Sequence, residues 1–398
     1  MKAGTFSEKI ESLAEKYAER IIEIRRQLHT FPELSFHEHN TALFIEKQLK
    51  TVGIECKRMT ETGLVALIKG VNPDKKTVGL RADMDALPIQ ENTGLSFSSQ
   101  IPGVMHACGH DIHTSSLVGT AFILNDLKNE FEGSVKLIFQ PAEEVLPGGA
   151  KKMIEKGVLN DPKTEVIIGQ HVYPELTSGN VGFKSGKAMA SSDEIYIKII
   201  GQGGHGAMPW KLIDPVLISS HLIIALQQIV SRNANAIIPS VLTFGKISAD
   251  GVANVIPNEV NLAGTFRTFD ENWRAEAHKK IAQITKGLVA SMGGFAEIEI
   301  RKGYPHLQNN EKLTQRCRDY AVEYLGTQHV ADIDMRTTSE DFSYFAQEIP
   351  GCFYRLGVNS PGNKEIPMLH RANFIADEES LKTGMGLMAF ICYNELNR

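Results

Sequence analysis

Apolar residues recur at helical spacing over residues 6–52, where Ile21, Ile24 and Leu28, then Leu43, Phe44 and Leu49, form two helical faces. The pattern breaks at Phe31-Pro32, and Gly53 closes the second helix. Two runs with strand character follow, at 64–69 and 77–81, separated by the turn signal Asn72-Pro73-Asp74. Beyond them the pattern predicts a helix over about 114–128, a strand at 135–139, a helix near 150–156 and a strand at 166–169. Continuous apolar strands alternating with helices predict an α/β fold, with a mixed, largely parallel sheet covered by helices on both faces.

The pattern changes character between about 186 and 303. It reads strand (194–200), helix (213–231), strand (241–247), strand (259–269), helix (272–291) and strand (296–301). This βαββαβ order is that of a small α+β, ferredoxin-like sandwich with its own core. The last part returns to the earlier character, with a helix at 311–325, a strand at 352–357 and an amphipathic helix over 378–396. The expected organisation is therefore one domain made of residues 1–186 and 303–398, interrupted by an inserted domain at 187–302. No internal repeat or low-complexity segment is visible.

Composition adds limits. A chain of 398 residues is too long for one ordinary core, which agrees with two domains. A formal net charge of -5 exerts no global pull toward nucleic acid or an anionic membrane. No apolar run approaches the roughly 18–20 residues needed to span a bilayer. The charged, amphipathic N-terminus lacks the features of a signal peptide, so a cytoplasmic protein is expected. Five cysteines, odd in number and scattered, argue against a disulfide framework and fit a reducing compartment. Cys56, Cys317, Cys352 and Cys392 have the apolar or helical neighbours of structural cysteines.

Cys108 has different company. The stretch Met105-His106-Ala107-Cys108-Gly109-His110-Asp111-Ile112-His113 concentrates three histidines, a thiol and a carboxylate. Cys108 and His110 can reach one site only from an extended or turning backbone. Thiolate and imidazole suit Zn, and imidazole with carboxylate also suits Mn, Co or Ni. Glu144 and His171 are expected just past the carboxyl ends of parallel strands, and His370 could add a fifth ligand. Five ligands exceed one tetrahedral shell, so two metals sharing ligands is a reasonable reading. In the pair Glu143-Glu144, neighbouring carboxylates point in different directions, so one can bind metal while the other acts as a general base toward water. A solvated acidic loop would be the first explanation of an isolated Glu-Glu pair, and the surrounding pattern is what argues against it here. The acidic run Arg81-Ala82-Asp83-Met84-Asp85 lies at the carboxyl end of a buried strand, where open α/β sheets place chemistry; read alone, it also fits a turn stabilised by its Asp side chains. In the inserted part, His205 sits in a glycine-rich turn where a donor could stabilise an oxyanion. Asn254 is a further polar candidate, and Arg267 would suit a carboxylate. His29, His37 and His39 read as surface or capping histidines.

Taken together these residues resemble the amidohydrolase branch of the aminoacylase/carboxypeptidase metallopeptidase family. The matching stretches are LRADMDALPIQE (80–91), GVMHACGHDIHT (103–114), FQPAEE (139–144), GQHVYP (169–174) and GGHGAMP (203–209). They continue with ANVIP (253–257), GTFRTFD (264–270), SEDF (339–342) and LHRANF (369–374), in the expected order over nearly the whole chain. The resemblance implies two divalent metal ions (Mn, Zn, Co or Ni) held by Cys108, His110, Glu144, His171 and His370, with Glu143 as base and proton shuttle. It implies that His205, in an inserted lid and dimerisation domain, meets the substrate carbonyl, and that Asn254 and Arg267 contact the substrate's carboxylate. In dimeric relatives this histidine reaches the neighbouring subunit's active site. Asp85 matches a position that in related branches orients a metal-binding histidine; Asp83 stands where that histidine would be, so Asp85 is placed behind the ligands. His106 and His113 are expected to shape the turn or to stand behind the ligands. Thr337-Thr338-Ser339 stands where many relatives carry glycines, and Arg371-Ala372 follows the terminal histidine; both bear on substrate identity more than on the reaction.

The expected function is hydrolysis of the amide bond of an N-acyl amino acid or a small related conjugate by metal-activated water, in a homodimer or higher homo-oligomer. A dipeptidase or carboxypeptidase would use the same machinery. A non-catalytic binder of amino-acid conjugates would need no free base beside its ligands, and a purely structural zinc site would unfold on chelation.

Overall fold

The computed structural model describes residues 6–363, 365, 366 and 368–398. The first helix, α1 (Phe6–Thr30), buries Ile10, Ala14, Tyr17, Ile21, Ile24 and Leu28, a stripe at helical spacing. Next come α2 (His39–Lys50), β1 (Cys56–Arg58), β2 (Leu64–Lys69) and β3 (Thr77–Asp83). Then α3 (His110–Asp126), β4 (Ser134–Gln140), α4 (Gly149–Glu155), β5 (Val166–Thr177) and β6 (Val181–Phe183) follow. The chain divides into two units: Met1–Gly186 with Gln308–Asp334 and Asp341–Arg398, and Lys187–Leu307 with Met335–Glu340.

The first unit is built on an eight-stranded sheet in the order β1, β2, β4, β3, β5, Gly351–Asn359, β6, Val330–Asp332. Its centre, from β4 through β3 and β5 to Gly351–Asn359, is parallel; the pairs β1–β2, β2–β4 and β6 with Gly351–Asn359 are antiparallel. Every residue of β3, β4 and Gly351–Asn359 is buried, as expected of strands covered on both faces. Helix α3 is buried from His110 through Leu124 and packs against α1, the C-terminal helix Ser380–Leu396 and β3. A helix buried all round belongs at the centre of a layer, and its first turn is correspondingly fixed.

The second unit carries a four-stranded antiparallel sheet in the order Ser240–Ser248, Glu259–Thr268, Asp193–Ile200, Phe295–Lys302. Ile195, Ile197 and Ile199 alternate inward from one strand, each worth about 1.5–3 kcal/mol of burial. They join Leu222 and Leu226 of the helix Pro215–Leu226 and Ala277 and Ile281 of the helix Glu271–Ser291 in one core. Asp214 and Asp270 cap these two helices, accepting backbone N–H bonds from Val216 and Leu217 and from Trp273. The order is that of the expected ferredoxin-like sandwich.

Three sequence expectations shift. Helix α3 begins at His110 and not near 114, because Gly109 takes a left-handed φ of 75° and turns the chain into the helix early. Strand β5 runs on to Thr177, so His171 lies within it. The segment Met335–Glu340, after the inserted part in sequence, groups with the second unit. No helix among the described residues is long and apolar enough to cross a membrane.

Candidate metal centre

Cys108 occupies the turn before α3 and His110 is the helix's first residue, with Gly109 between them. Around them the first unit gathers Glu143 and Glu144 from the loop after β4, His171 from β5 and His370 from the C-terminal part. Donor atoms fall within 4.8 Å of one another in three overlapping triads: Cys108, His110 and His171; Cys108, Glu144 and His370; and His110, Glu143 and Glu144. Cys108 Sγ lies 3.5 Å from His171 Nε2 and 3.3 Å from His370 Nε2. His370 Nε2 is 3.3 Å from Glu144 Oε1. His370 has a left-handed φ of 59°, and its N–H donates to Ala107 O at 2.9 Å, which ties the C-terminal loop to the turn.

The imidazoles are aimed by their second nitrogens. His110 Nδ1 donates to the Asp85 carbonyl oxygen at 2.9 Å, and His171 Nδ1 donates to Val172 O at 2.8 Å. Both Nε2 atoms therefore face the cluster, and His110 Nε2 is buried without a hydrogen bond. A buried ring nitrogen left open beside a thiol, a carboxylate and two further imidazoles is a donor set fitted to divalent cations.

Asp85 ties down the backbone of both glutamates. Its Oδ1 accepts the Glu143 N–H and its Oδ2 the Glu144 N–H, each at 3.0 Å, while Ser35 Oγ donates to Oδ2 at 2.6 Å. Just before them Ala142 holds a left-handed φ of 49°, with its N–H donating to the buried carboxylate of Glu38 at 2.7 Å. Glu143 is reached from the other side by the Asp341 N–H, 3.4 Å from Oε1.

Charge is strongly perturbed here. Burial and the nearby Glu144 push the Cys108 thiol's pKa up. Burial alone would lower His110, but Asp83, Cys108 and Asp85 outweigh it and raise the imidazole well above its usual range. His171 goes the other way: burial, His113 and Arg355 depress it well below. Hydrogen bonds to Cys108 and then Glu144 push His370 up to about 10. The carboxylates of Asp83, Asp85 and Glu144 favour cations beside His110 and His370, and a metal ion would take the place of protons on the thiol and these imidazoles.

The second unit holds the remaining candidates. His205 and Asn254 come together in a short ribbon in which Val255 pairs with His205 and the Gly206 N–H donates to Asn254 O at 2.8 Å. His205 Nδ1 accepts the Ala207 N–H at 3.1 Å, which leaves the ring proton on Nε2 as a donor. Arg267 stands apart from the ribbon, on the strand Glu259–Thr268. It donates to Thr265 Oγ1 at 3.2 Å and to Ser339 Oγ at 3.0 Å, and burial lowers its pKa.

Glu38 and the Arg81–Asp341 pair were not singled out by sequence reasoning. Asp341 sits in the noted SEDF stretch, the only signal that pointed to it, and Glu38 had none. His29 is corrected: it is buried, with Nδ1 2.8 Å from Asp111 Oδ2 and Nε2 3.3 Å from Glu91 Oε1.

Residues 79–394 match the model of peptidase family M20/M25/M40. The chain belongs to this family. Within it, an N-acyl-L-amino acid amidohydrolase of Geobacillus stearothermophilus is 42% identical over 306 residues, 77% of this chain and 82% of that protein. Thermostable carboxypeptidase 1 of Saccharolobus solfataricus is 37% identical over 382 residues, 95% of each chain. The crystal structure of a Bacillus subtilis protein, described as a dinuclear metal binding peptidase from the M20 family, superposes with a TM-score of 0.82 at 35% identity, covering 96% of this chain and 99% of that one. Like its relatives, this M20 member is a hydrolase of the metal-dependent amidohydrolase branch.

Proposed function

We propose that this M20 hydrolase cleaves the amide bond of N-acyl amino acids or small related conjugates at a dinuclear centre. The observation that carries the reading is the placing of the Glu143-Glu144 pair: Glu144 shares a donor triad with Cys108 and His370, while the Glu143 carboxylate, beside Glu144 and His110, also meets the Asp341 N–H. Cys108, His110, Glu144, His171 and His370 would hold two divalent ions, of Mn, Zn, Co or Ni. When bound, such ions polarise a carbonyl and acidify a water molecule.

Glu143 takes the water's proton on a carboxylate oxygen and delivers it to the leaving amine nitrogen. His205 donates from Nε2 to the carbonyl oxygen, in its own chain or in a partner copy, and its tautomer, set by the Ala207 N–H, supports that role. Asn254 and Arg267 bind the amino acid's carboxylate; the planar, charged Arg267 donor suits that group. The acyl-hydrolase reading is preferred to the peptidase one because the relative of highest identity among those described acts, by its name, on N-acyl-L-amino acids. We place the enzyme in the cytoplasm, in keeping with five free cysteines. A homodimer or larger homo-oligomer through the second unit is supported by the apolar side chains of Leu217 and Ile224, exposed on the helix Pro215–Leu226.

Glu143→Gln tests the assignment. Turnover of acetyl- and benzoyl-amino acids should fall by about 10²–10⁴-fold with metal content unchanged. Near-normal turnover would refute it. Substrate panels that show cleavage of free dipeptides and none of blocked amino acids would assign the peptidase reading instead.

A further inference from the structure

Beside the site, Asp83, His110 and His113 also bring donor atoms within 4.8 Å of one another, all of them buried. The hydrogen bonds of His113 show that it is committed elsewhere. Its Nδ1 is 2.6 Å from Asp83 Oδ1, and its Nε2 accepts the Val172 N–H at 2.8 Å. To accept at Nε2 the ring must carry its proton on Nδ1, where Asp83 receives it. Both nitrogens of this neutral imidazole are used, so it offers no lone pair to a cation.

The need for this arrangement lies in the sheet. Strand β3 pairs with β5 only as far as Arg81 opposite Gly169. Beyond that register β5 keeps its other neighbour, Gly351–Asn359, but loses this one. The N–H and C=O of a strand residue point to the same side, so Val172 has two backbone groups to satisfy where β3 has gone. Two imidazoles fill the gap: His113 Nε2 accepts the Val172 N–H, and His171 Nδ1 donates to the Val172 C=O. The two rings lie with centroids 4.6 Å apart.

Behind His113 the support is continuous. Asp83 Oδ2 accepts from Arg81 Nη1 at 2.7 Å, and Arg81 reaches Asp341 Oδ1 through Nη2 at 2.8 Å and Gln140 Oε1 through Nε at 2.8 Å. Asp341 is the residue whose N–H meets Glu143. One buried network therefore runs from the carboxylate proposed as base to the far side of the site.

We propose that His113 is a positioning residue of the metal centre, a neutral Nδ1–H imidazole that stands in for the missing strand neighbour and, through Val172, aims His171 Nε2 at Cys108. This rests on the reading of His171 as a metal ligand. His113 touches neither metal nor substrate and acts only through His171.

The test uses the full chain loaded with Co²⁺. His113→Leu removes the acceptor while keeping bulk, His113→Gln restores an acceptor near the Nε2 position, and His171→Ala probes the ligand reading by itself. Loss of an outer hydrogen-bond partner weakens metal binding by about 10–100-fold. His113→Leu should therefore weaken one of two Co²⁺ equivalents by that factor and alter the visible ligand-field spectrum. His113→Gln should return both toward the wild type. Wild-type affinity and spectrum in His113→Leu, with one equivalent lost in His171→Ala, would overturn the positioning role alone. Two equivalents retained in His171→Ala would overturn the ligand reading on which it rests. If His113→Leu does not fold, the wild-type zinc enzyme decides: its long-range ¹H–¹⁵N spectrum should show the His113 proton on Nδ1, and a proton on Nε2 would overturn the proposal.

Discussion

At the scale of single residues, Gly109 controls how the donors on either side of it meet. Its φ of 75° lets Cys108 end a turn and His110 begin a helix, and a Cβ there would lie 2.7 Å from Val172 Cγ2. Gly109→Ala would incur left-handed strain of about 1–2 kcal/mol and push on the residue that orients His171. The expected result is a lower unfolding temperature together with weaker metal binding by titration calorimetry. A variant that loses stability but binds metal as before would show that the turn and the centre are uncoupled. Residue chemistry explains what could be read in advance. The meeting of Cys108 with His110 was legible because a thiol and an imidazole two residues apart have few other uses, and that of Glu144 and His171 with them because both were expected near the carboxyl ends of parallel strands. His29 was misread because residue type does not reveal burial: its charge partners, Asp111 and Glu91, lie far along the chain. Glu38 escaped notice for the same reason, since the backbone N–H of Ala142 that it holds has no signature in the sequence.

At the scale of elements, periodicity located most helices and strands but not their functional ends. The start of α3 and the far end of β5 were misplaced because a left-handed glycine and two histidine rings, not an apolar pattern, decide them. The ribbon carrying His205 was invisible, being two residues per strand. Polar clusters within an element also set its response to acid. Glu271 begins the helix Glu271–Ser291; burial opposes its charge, but His306 and Arg274 outweigh it and hold its pKa at about 2. Folding thus lowers this pKa from 4.5, so its stabilisation is complete above that value and fades as pH falls toward 2. Glu271→Gln should lower the unfolding temperature at neutral pH and flatten its decline between these limits in a pH series of thermal melts. An unchanged acid limb would show that the contact carries no linkage.

At the scale of the whole molecule, the two-core organisation was legible because the order of strands and helices switches at the insertion, whereas the allegiance of Met335–Glu340 depends on tertiary packing. The buried core of the first unit extends from Ile10 to Leu396, far beyond the ligand cluster. Chelation should therefore abolish hydrolysis while leaving the far-ultraviolet circular dichroism unchanged. It should also lower the unfolding midpoint, since a ligand at 100–1,000 times its Kd contributes about 3–4 kcal/mol. Collapse of the dichroism on chelation would make the metal structural. The position of Gly351–Asn359 between β5 and β6 has a further consequence, for the order of assembly. As the chain leaves the ribosome, β5 and β6 emerge with the slot between them vacant, and the strand that fills it is made only after the whole inserted segment. The segment closes its own sheet from strands near in sequence and can fold as a unit during synthesis. The hydrolytic half must wait, with the edge of β5 that will adjoin Gly351–Asn359 open, until nearly the entire chain has been translated. That interval is when aggregation threatens it most, and the donor cluster to which His370 belongs is among the last parts to form.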